Sequence, residues 1–409
     1  VAGIGYEWNR GWRTVASAFV GVIFMAAVPT VTGVVMAPLK AEFGWSRAII
    51  TSNVLICSVM TLLLAPLLGR LMIRFGPRRC ALTAAIAASP ALILISLTGG
   101  SPLTWMTAWA IFAVINVGIS PIVWSGAVAA LFDRARGMAL AITLSGAGIA
   151  YFIFLPLAVA LLKEFGWRGV YVGIAALLIV LLLPIVYAWF RGPEDLDLIR
   201  GGGDRQQAPA APNGFTLQDA LRMPQFWQFI TVATLMALAE GALHVHFFPI
   251  LREGGLPAPE AAWVISFMGI AMIAGRVLAG ALQDRLPPVP VFGLSIALVL
   301  VSCILLRFLP GDALAGMAVS ICLGAGSGGT TVSLANLTSR YFGLLAYPSI
   351  YGILMGGFSL GYGLAPVMAG YFREVTGSYF LIFEWLAGAL VVAVIVTSLL
   401  GRPKVGTGA

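Results

Sequence analysis

Residues 261–285 read AAWVISFMGIAMIAGRVLAGALQDR, an apolar run long enough to cross a bilayer that carries one cation, Arg276, well inside it. A spanning helix needs about 20 mostly apolar residues. A guanidinium at the centre of such a helix costs roughly 2.5–3.5 kcal/mol on insertion scales, so it faces protein or a watery cavity and pairs with something negative. Two readings of Arg276 follow. It holds the carboxylate of a bound solute, or it is a structural arginine tied to helix-end carbonyls or an internal acid.

Outward from that run the whole chain looks the same. Of 409 residues, 60 % are hydrophobic and 10 % charged, with a mean hydropathy of +0.98; soluble domains carry about 25 % charge. Apolar runs fall near 13–37, 48–68, 80–98, 103–131, 137–161, 168–190, 225–250, 260–284, 289–309, 313–338, 348–371 and 378–400. The expectation is an all-α membrane protein of twelve transmembrane helices embedded in the lipid bilayer. The first run is longer than a signal-peptide core and no cleavage site follows it, so it reads as a true span. Cys57, Cys80, Cys303 and Cys322 lie in or at the ends of spans and read as small apolar packers, without metal or disulfide spacing.

The net charge of +8 does not indicate nucleic acid. Of 24 Lys and Arg, 16 fall on the segments that share a side with the N-terminus, seven on the opposite side, and Arg276 within the membrane. The positive-inside rule puts both termini in the cytoplasm, in a bacterial inner membrane.

Residues 191–224 contain GPEDLDLIRGGGDRQQAPAAPNG, a polar Gly/Pro/Asp-rich linker between two sets of six spans, 1–190 and 225–409. Thr216 then opens a short capped surface helix. The two sets are copies. Pro38 and Pro249, Gly44 and Gly255, Gly69 and Gly280, Leu71 and Leu282, and Arg74 and Arg285 are all 211 apart; Phe132 and Phe342, Gly146 and Gly356, Pro156 and Pro366, and Glu164 and Glu374 are 210 apart. Two pseudo-symmetric six-helix halves with a site between them is a transporter plan.

GRLMIRFGPRR at 69–79 and GALQDR at 280–285 resemble the paired loops of the major facilitator superfamily, and the resemblance covers almost the whole chain. It implies that Gly69, Arg70, Arg74, Gly76, Arg78, Gly280, Asp284 and Arg285 form a gating motif, with glycines permitting close helix approach and arginines anchoring the cytoplasmic rim. The motif's acidic position is Ile73 in the first copy and Asp284 in the second. FGWSRA at 43–48, and FDRARGMA at 132–139 leading into Ser145-Gly-Ala-Gly148, look like the monocarboxylate transporter and oxalate–formate antiporter branch. In that branch a span-eight arginine grips the substrate carboxylate, and the position falls on Arg276. The span-one lysine that eukaryotic members carry after a proline is Thr30 here, a substrate-side candidate. Their acid one turn before the arginine is Met272. The oxalate carriers' span-eleven lysine has no counterpart in 348–371, which fits a monoanion better than a dianion.

The remaining candidates come from the spans themselves. Glu240 lies near the middle of span seven with His244 one turn later; they are expected to carry a coupled proton, or Glu240 is the counter-ion of Arg276. His246 reads as a rim residue, and Glu384 belongs to a peripheral span. Asn116, Ser120 and Trp124 at i, i+4 and i+8 form a polar-aromatic stripe of span four, either lining a cavity or hydrogen-bonding between helices. Tyr151 and Tyr362 lie at a depth to reach a ligand; Asn53, Asn336 and Tyr351 are weaker candidates. The run GAGSGGTTVS at 324–333 is no phosphate loop, because no Lys-Ser/Thr follows, and reads as close packing or a flexible gating helix.

No Walker motif occurs, and the chain is not expected to be an enzyme. The expectation is therefore a cofactor-free, monomeric secondary transporter of a small organic monocarboxylate, aliphatic or aromatic, most simply a proton symporter. The alternatives on the same fold are an exporter or facilitator of a neutral or amphipathic compound, or an anion exchanger.

Overall fold

The computed structural model describes residues 4–132, 135–192, 214–283, 285–308, 312–343 and 345–401. Among them every regular element is a helix, apart from one isolated bridge between Gly214 and Gly343. The chain divides into two compact units, Val1–Asp204 and Arg205–Ala409.

The first unit opens with α1 (Ile4–Phe43), α2 (Arg47–Phe75) and α3 (Pro77–Ser96). Span four is broken into α4 (Pro102–Asn116), a 3₁₀ turn at Val117–Ile119 and α5 (Pro121–Leu131). The break follows from Pro121: a proline ring pushes the preceding residue out of the helical region, and Ser120 sits at φ −71°, ψ 166°. Spans five and six are α6 (Arg136–Leu177), a π turn at Leu178–Leu182 and α7 (Leu183–Trp189), bent at Gly166. Because Gly166 turns the chain within one residue, the described residues form eleven continuous runs capable of crossing a membrane for twelve expected spans.

The second unit begins with the short helix α8 (Leu217–Arg222), capped as expected by Thr216, whose hydroxyl accepts from the Asp219 amide at 3.2 Å. Spans seven to twelve follow as α9 (Pro224–Glu253), α10 (Ala258–Gln283), α11 (Pro288–Phe308), α12 (Ala313–Phe342), α13 (Tyr347–Thr376) and α14 (Phe380–Ser398). Of the linker expected at 191–224, residues 193–213 lie outside the described residues.

The internal repeat is written into the backbone. Gly44 and Gly255, and likewise Gly166 and Gly377, are 211 apart and all take positive φ (68°, 103°, 69° and 73°), a conformation that favours glycine. The packing repeats too. In the first unit α1 packs on α6, α2 on α4, and α3 on α4 and α6; in the second α9 packs on α13, α10 on α12, and α11 on α12 and α14. One contact corrects the register. A methyl group on Gly146 would run into the Phe19 carbonyl and Ile23, and one on Gly357 would meet Ile230 and Thr234. Phe19 and Ile230, and Ile23 and Thr234, are 211 apart, so Gly146 is equivalent to Gly357 rather than Gly356.

The FGW stretch at 43–45 closes one end of the first unit. Phe43 stacks on Trp45 at 4.5 Å, and the Trp45 indole donates to the Gly100 carbonyl at 3.1 Å. A second FGW at 165–167 meets it there, with the Trp167 indole donating to Glu42 at 2.6 Å. These aromatics pack on Trp105, Trp109 and Tyr171, all fully buried.

Candidate functional site

Span ten's glycines build the site by letting backbones touch. A methyl group on Gly324 would collide with the Met268 carbonyl, one on Gly328 with the Met272 carbonyl, and one on Gly275 with the Ala325 backbone. On the opposite side of α12, Gly326 faces Val299 and Gly329 faces Ser295 of α11. The run is close packing between three helices, as small residues provide in membranes. It brings the hydroxyls of α12 level with Arg276.

Arg276 is 9 % exposed, and its Nε and Nη1 have no hydrogen-bond partner among the described residues. Across from it, Glu240 of α9 is 3 % exposed, with Oε1 likewise unpartnered. The two groups lie within electrostatic reach of each other, and Tyr351 of α13 lies within the same reach of the guanidinium. Ser327 and Thr330 lie against the Glu240 carboxyl. One turn beyond Glu240, His244 sets Nδ1 3.1 Å from the Tyr362 hydroxyl and Nε2 3.4 Å from the Ser327 hydroxyl. Close approach of α13 is needed for this: a methyl on Gly241 would collide with the Tyr362 carbonyl. Pro366 has no N–H, so that carbonyl has no donor one turn ahead.

Within this unit the structure therefore gathers Arg276, Glu240, His244 and Tyr362, all singled out in the sequence. Ser327, Thr330 and Tyr351 join them. The first two were absorbed into a packing reading of the glycine run; their signal was a hydroxyl every three residues along one helix.

The first unit gives a different result. Asn116, Ser120 and Trp124 do not share one helix face, because the break at Val117–Ser120 intervenes. Trp124 is fully buried, donates its indole N–H to the Ile119 carbonyl at 2.7 Å, and fills the space that a side chain on Gly21 of α1 would need. Ser120 is buried with Oγ unpartnered among the described residues, and Asn116 is half-buried. Thr30 is buried and donates its hydroxyl to the Ala26 carbonyl of its own helix at 2.7 Å. Tyr151 is buried in α6. Asn53 is spent on Thr32, at 3.0 Å.

One acid–base expectation also changes. His246 is not a rim group: at 1 % exposure its Nε2 lies 2.9 Å from the Pro366 carbonyl and Nδ1 2.8 Å from the Tyr379 hydroxyl. A carbonyl only accepts, so Nε2 carries the proton and, in the neutral ring, Nδ1 accepts from the tyrosine. Glu384 pairs with Arg307 at 3.3 Å, both well exposed.

In the gating motif, the glycine the backbone requires is Gly76, at φ 81° between α2 and α3. Gly69 and Gly280 have nothing within 4 Å of an added methyl, so close approach does not explain them. Arg78 donates to the Tyr187 carbonyl at 2.7 Å and Arg74 lies over the Phe75 ring at 5.1 Å. Asp284 lies outside the described residues. Beside it Gln283, 1 % exposed, donates to Ser333 at 2.6 Å and accepts from Asn336 at 2.7 Å, while Arg340 reaches Asn336 at 2.9 Å. This network, not read from the sequence, ties α10 to α12.

The comparisons with known proteins agree with this architecture. The family model described as Major Facilitator Superfamily matches residues 18–343 and 247–408. The chain belongs to the major facilitator superfamily, and it is an integral membrane transporter rather than an enzyme. Among curated proteins it is 26 % identical to monocarboxylate transporter 13 of Bos taurus, covering 94 % of this chain and 87 % of the relative. It is 26 % identical to monocarboxylate transporter 3 of Rattus norvegicus (93 % and 78 %), and 22 % to the uncharacterized MFS-type transporter YhjX of Escherichia coli (72 % and 71 %). A solved bacterial homolog of the human lysosomal transporter Spinster, in an inward-facing and unoccupied conformation, superposes with a TM-score of 0.67 at 16 % identity, covering 97 % of this chain and 96 % of that one.

Proposed function

We propose that this transporter moves a small organic monocarboxylate by alternating access, with a proton as the coupled ion. The observation that carries the reading is Arg276: a guanidinium nine-tenths buried, with two unpartnered nitrogens. An arginine left so is a ready donor set for a planar carboxylate, and the contact strengthens in a partly dried site. That several relatives are named monocarboxylate transporters supports the same substrate class.

Glu240 supplies the coupling. When the solute carboxylate arrives, two anions face one guanidinium, and their repulsion is relieved by a proton on Glu240. Ser327 and His244 extend a hydrogen-bonding path from there to Tyr362. The halves are 1–190 and 225–409, joined by the linker 191–224, and the gating motif of residues 69–78 and 280–285 controls the alternation of access. The protein works as a monomer in a bacterial inner membrane with both termini in the cytoplasm, the orientation that the arginine distribution favours.

The test is uptake of labelled acetate, lactate and benzoate into proteoliposomes by the native protein, Arg276→Lys and Arg276→Ala. Removing one member of a buried charge pair costs about 3–5 kcal/mol, so Arg276→Ala should abolish uptake. Arg276→Lys, which keeps the charge but loses the planar donor set, should retain a small fraction. Undiminished uptake by Arg276→Ala overturns the reading.

A further inference from the structure

We infer that the carboxylate carried at this site belongs to an aryl or arylalkyl acid, whose ring lies along an aromatic face of α13. The inference rests on the carboxylate reading of Arg276. Its grounds are a pattern that the arginine does not need. Tyr347, Tyr351, Phe358 and Tyr362 fall on α13 at steps of four, seven and four, which at 100° per residue keeps all four within a stripe about 60° wide. Tyr347 and Tyr351 stack at 5.4 Å with their planes 8° apart; Phe358 and Tyr362 stack at 6.3 Å and 20°. All four are half-buried, so the face is not consumed by helix packing.

The stripe is anchored in the site at two points. Tyr362 meets His244 both by hydrogen bond and by edge-on ring contact at 5.9 Å, and Tyr351 lies within electrostatic reach of Arg276. Those anchors are eleven residues apart, about 16 Å along the helix. Phe358 lies between them on the same face, with no polar atom to offer a hydrophilic solute. An acid whose carboxylate is held at Arg276 and whose body extends along α13 therefore runs over Tyr351 and Phe358. Aromatic faces select rings through offset or edge-on contact, beyond the apolar area buried. A two- or three-carbon acid would leave this face unused.

The experiment is a matched pair of ligands titrated against the full-length purified protein: benzoate against cyclohexanecarboxylate, and phenylacetate against cyclohexylacetate. The saturated ring is the greasier member of each pair, so apolar burial alone favours it. Ring–ring contact reverses that order by about two- to tenfold in Kd. In Phe358→Leu the ratio of the two Kd values should shift toward the saturated acid. Equal binding of both members, or tighter binding of the saturated one, overturns the inference. If the saturated acid binds as tightly or tighter and both are lost in Arg276→Ala, the carboxylate reading stands while the ring inference falls; if no acid binds, both fall. Because the decisive comparison is between ligands on the native protein, a variant that fails to fold does not obscure it.

Discussion

Gly328 of α12 lies against the backbone of Arg276 in α10: a methyl group placed on it would stand 2.9 Å from the Arg276 amide nitrogen. The position of the site cation thus depends on a residue that carries no chemistry. Gly328→Val should overpack the contact by about 1–3 kcal/mol, lowering the melting temperature. By pushing α10 away it should also weaken carboxylate binding, and a fluorescence melt with and without ligand reads both. A variant with native stability and affinity would mean that the α10–α12 approach is not what sets Arg276.

Glu240→Gln separates binding from coupling. The amide is close in shape to the acid but carries no titrating proton. For one proton per solute, a gradient of one pH unit supports about tenfold accumulation by the native protein. The variant should accumulate nothing while still exchanging labelled for unlabelled acid. Solute-driven acidification of the vesicle interior, followed with an entrapped pH dye, should disappear. Its persistence would assign the proton to another group.

Two glycines of one motif should behave oppositely. Gly76 has φ 81° and ψ 153°, so Gly76→Ala forces a strained backbone at a cost of about 1–3 kcal/mol. Gly69 lies within α2 with open space where a methyl would go. Gly69→Ala should stabilise by about 0.5–1 kcal/mol, since glycine is a poor residue inside a helix. Paired melts check the contrast.

At the inner end of the second unit, Gln283 satisfies Ser333 and Asn336 at once. Gln283→Ala strands both partners and should cost about 1–3 kcal/mol. Gln283→Glu, which keeps an acceptor for Asn336 but loses the donor to Ser333, should be intermediate in melting temperature if the network is what stabilises this end.

The parts of this protein legible in sequence are those carried by one-dimensional patterns. Bilayer thickness sets the length of apolar runs, so composition alone announced the spans. A near-constant offset of 210–211 exposed the duplicated halves, which the positive-φ pairs Gly44 and Gly255, and Gly166 and Gly377, repeat in the backbone. Arg276 stood out because a charge in lipid is too costly to be incidental, and Glu240 and His244 for the same reason.

Tertiary structure decided the rest, since it depends on which faces meet. Periodicity placed Trp124 on a polar stripe, but Pro121 breaks the helix before it and Gly21 of another span receives the ring. His246 was assigned to the rim by depth, yet a carbonyl and a phenol from α13 and the turn after it enclose it. Ser327 and Thr330 are ordinary hydroxyls in a glycine-rich run until packing sets them against Glu240. Hydrophobicity and repeat length are properties of the chain read along its axis. The company a buried polar atom keeps is fixed only when glycines on neighbouring helices let those axes come together.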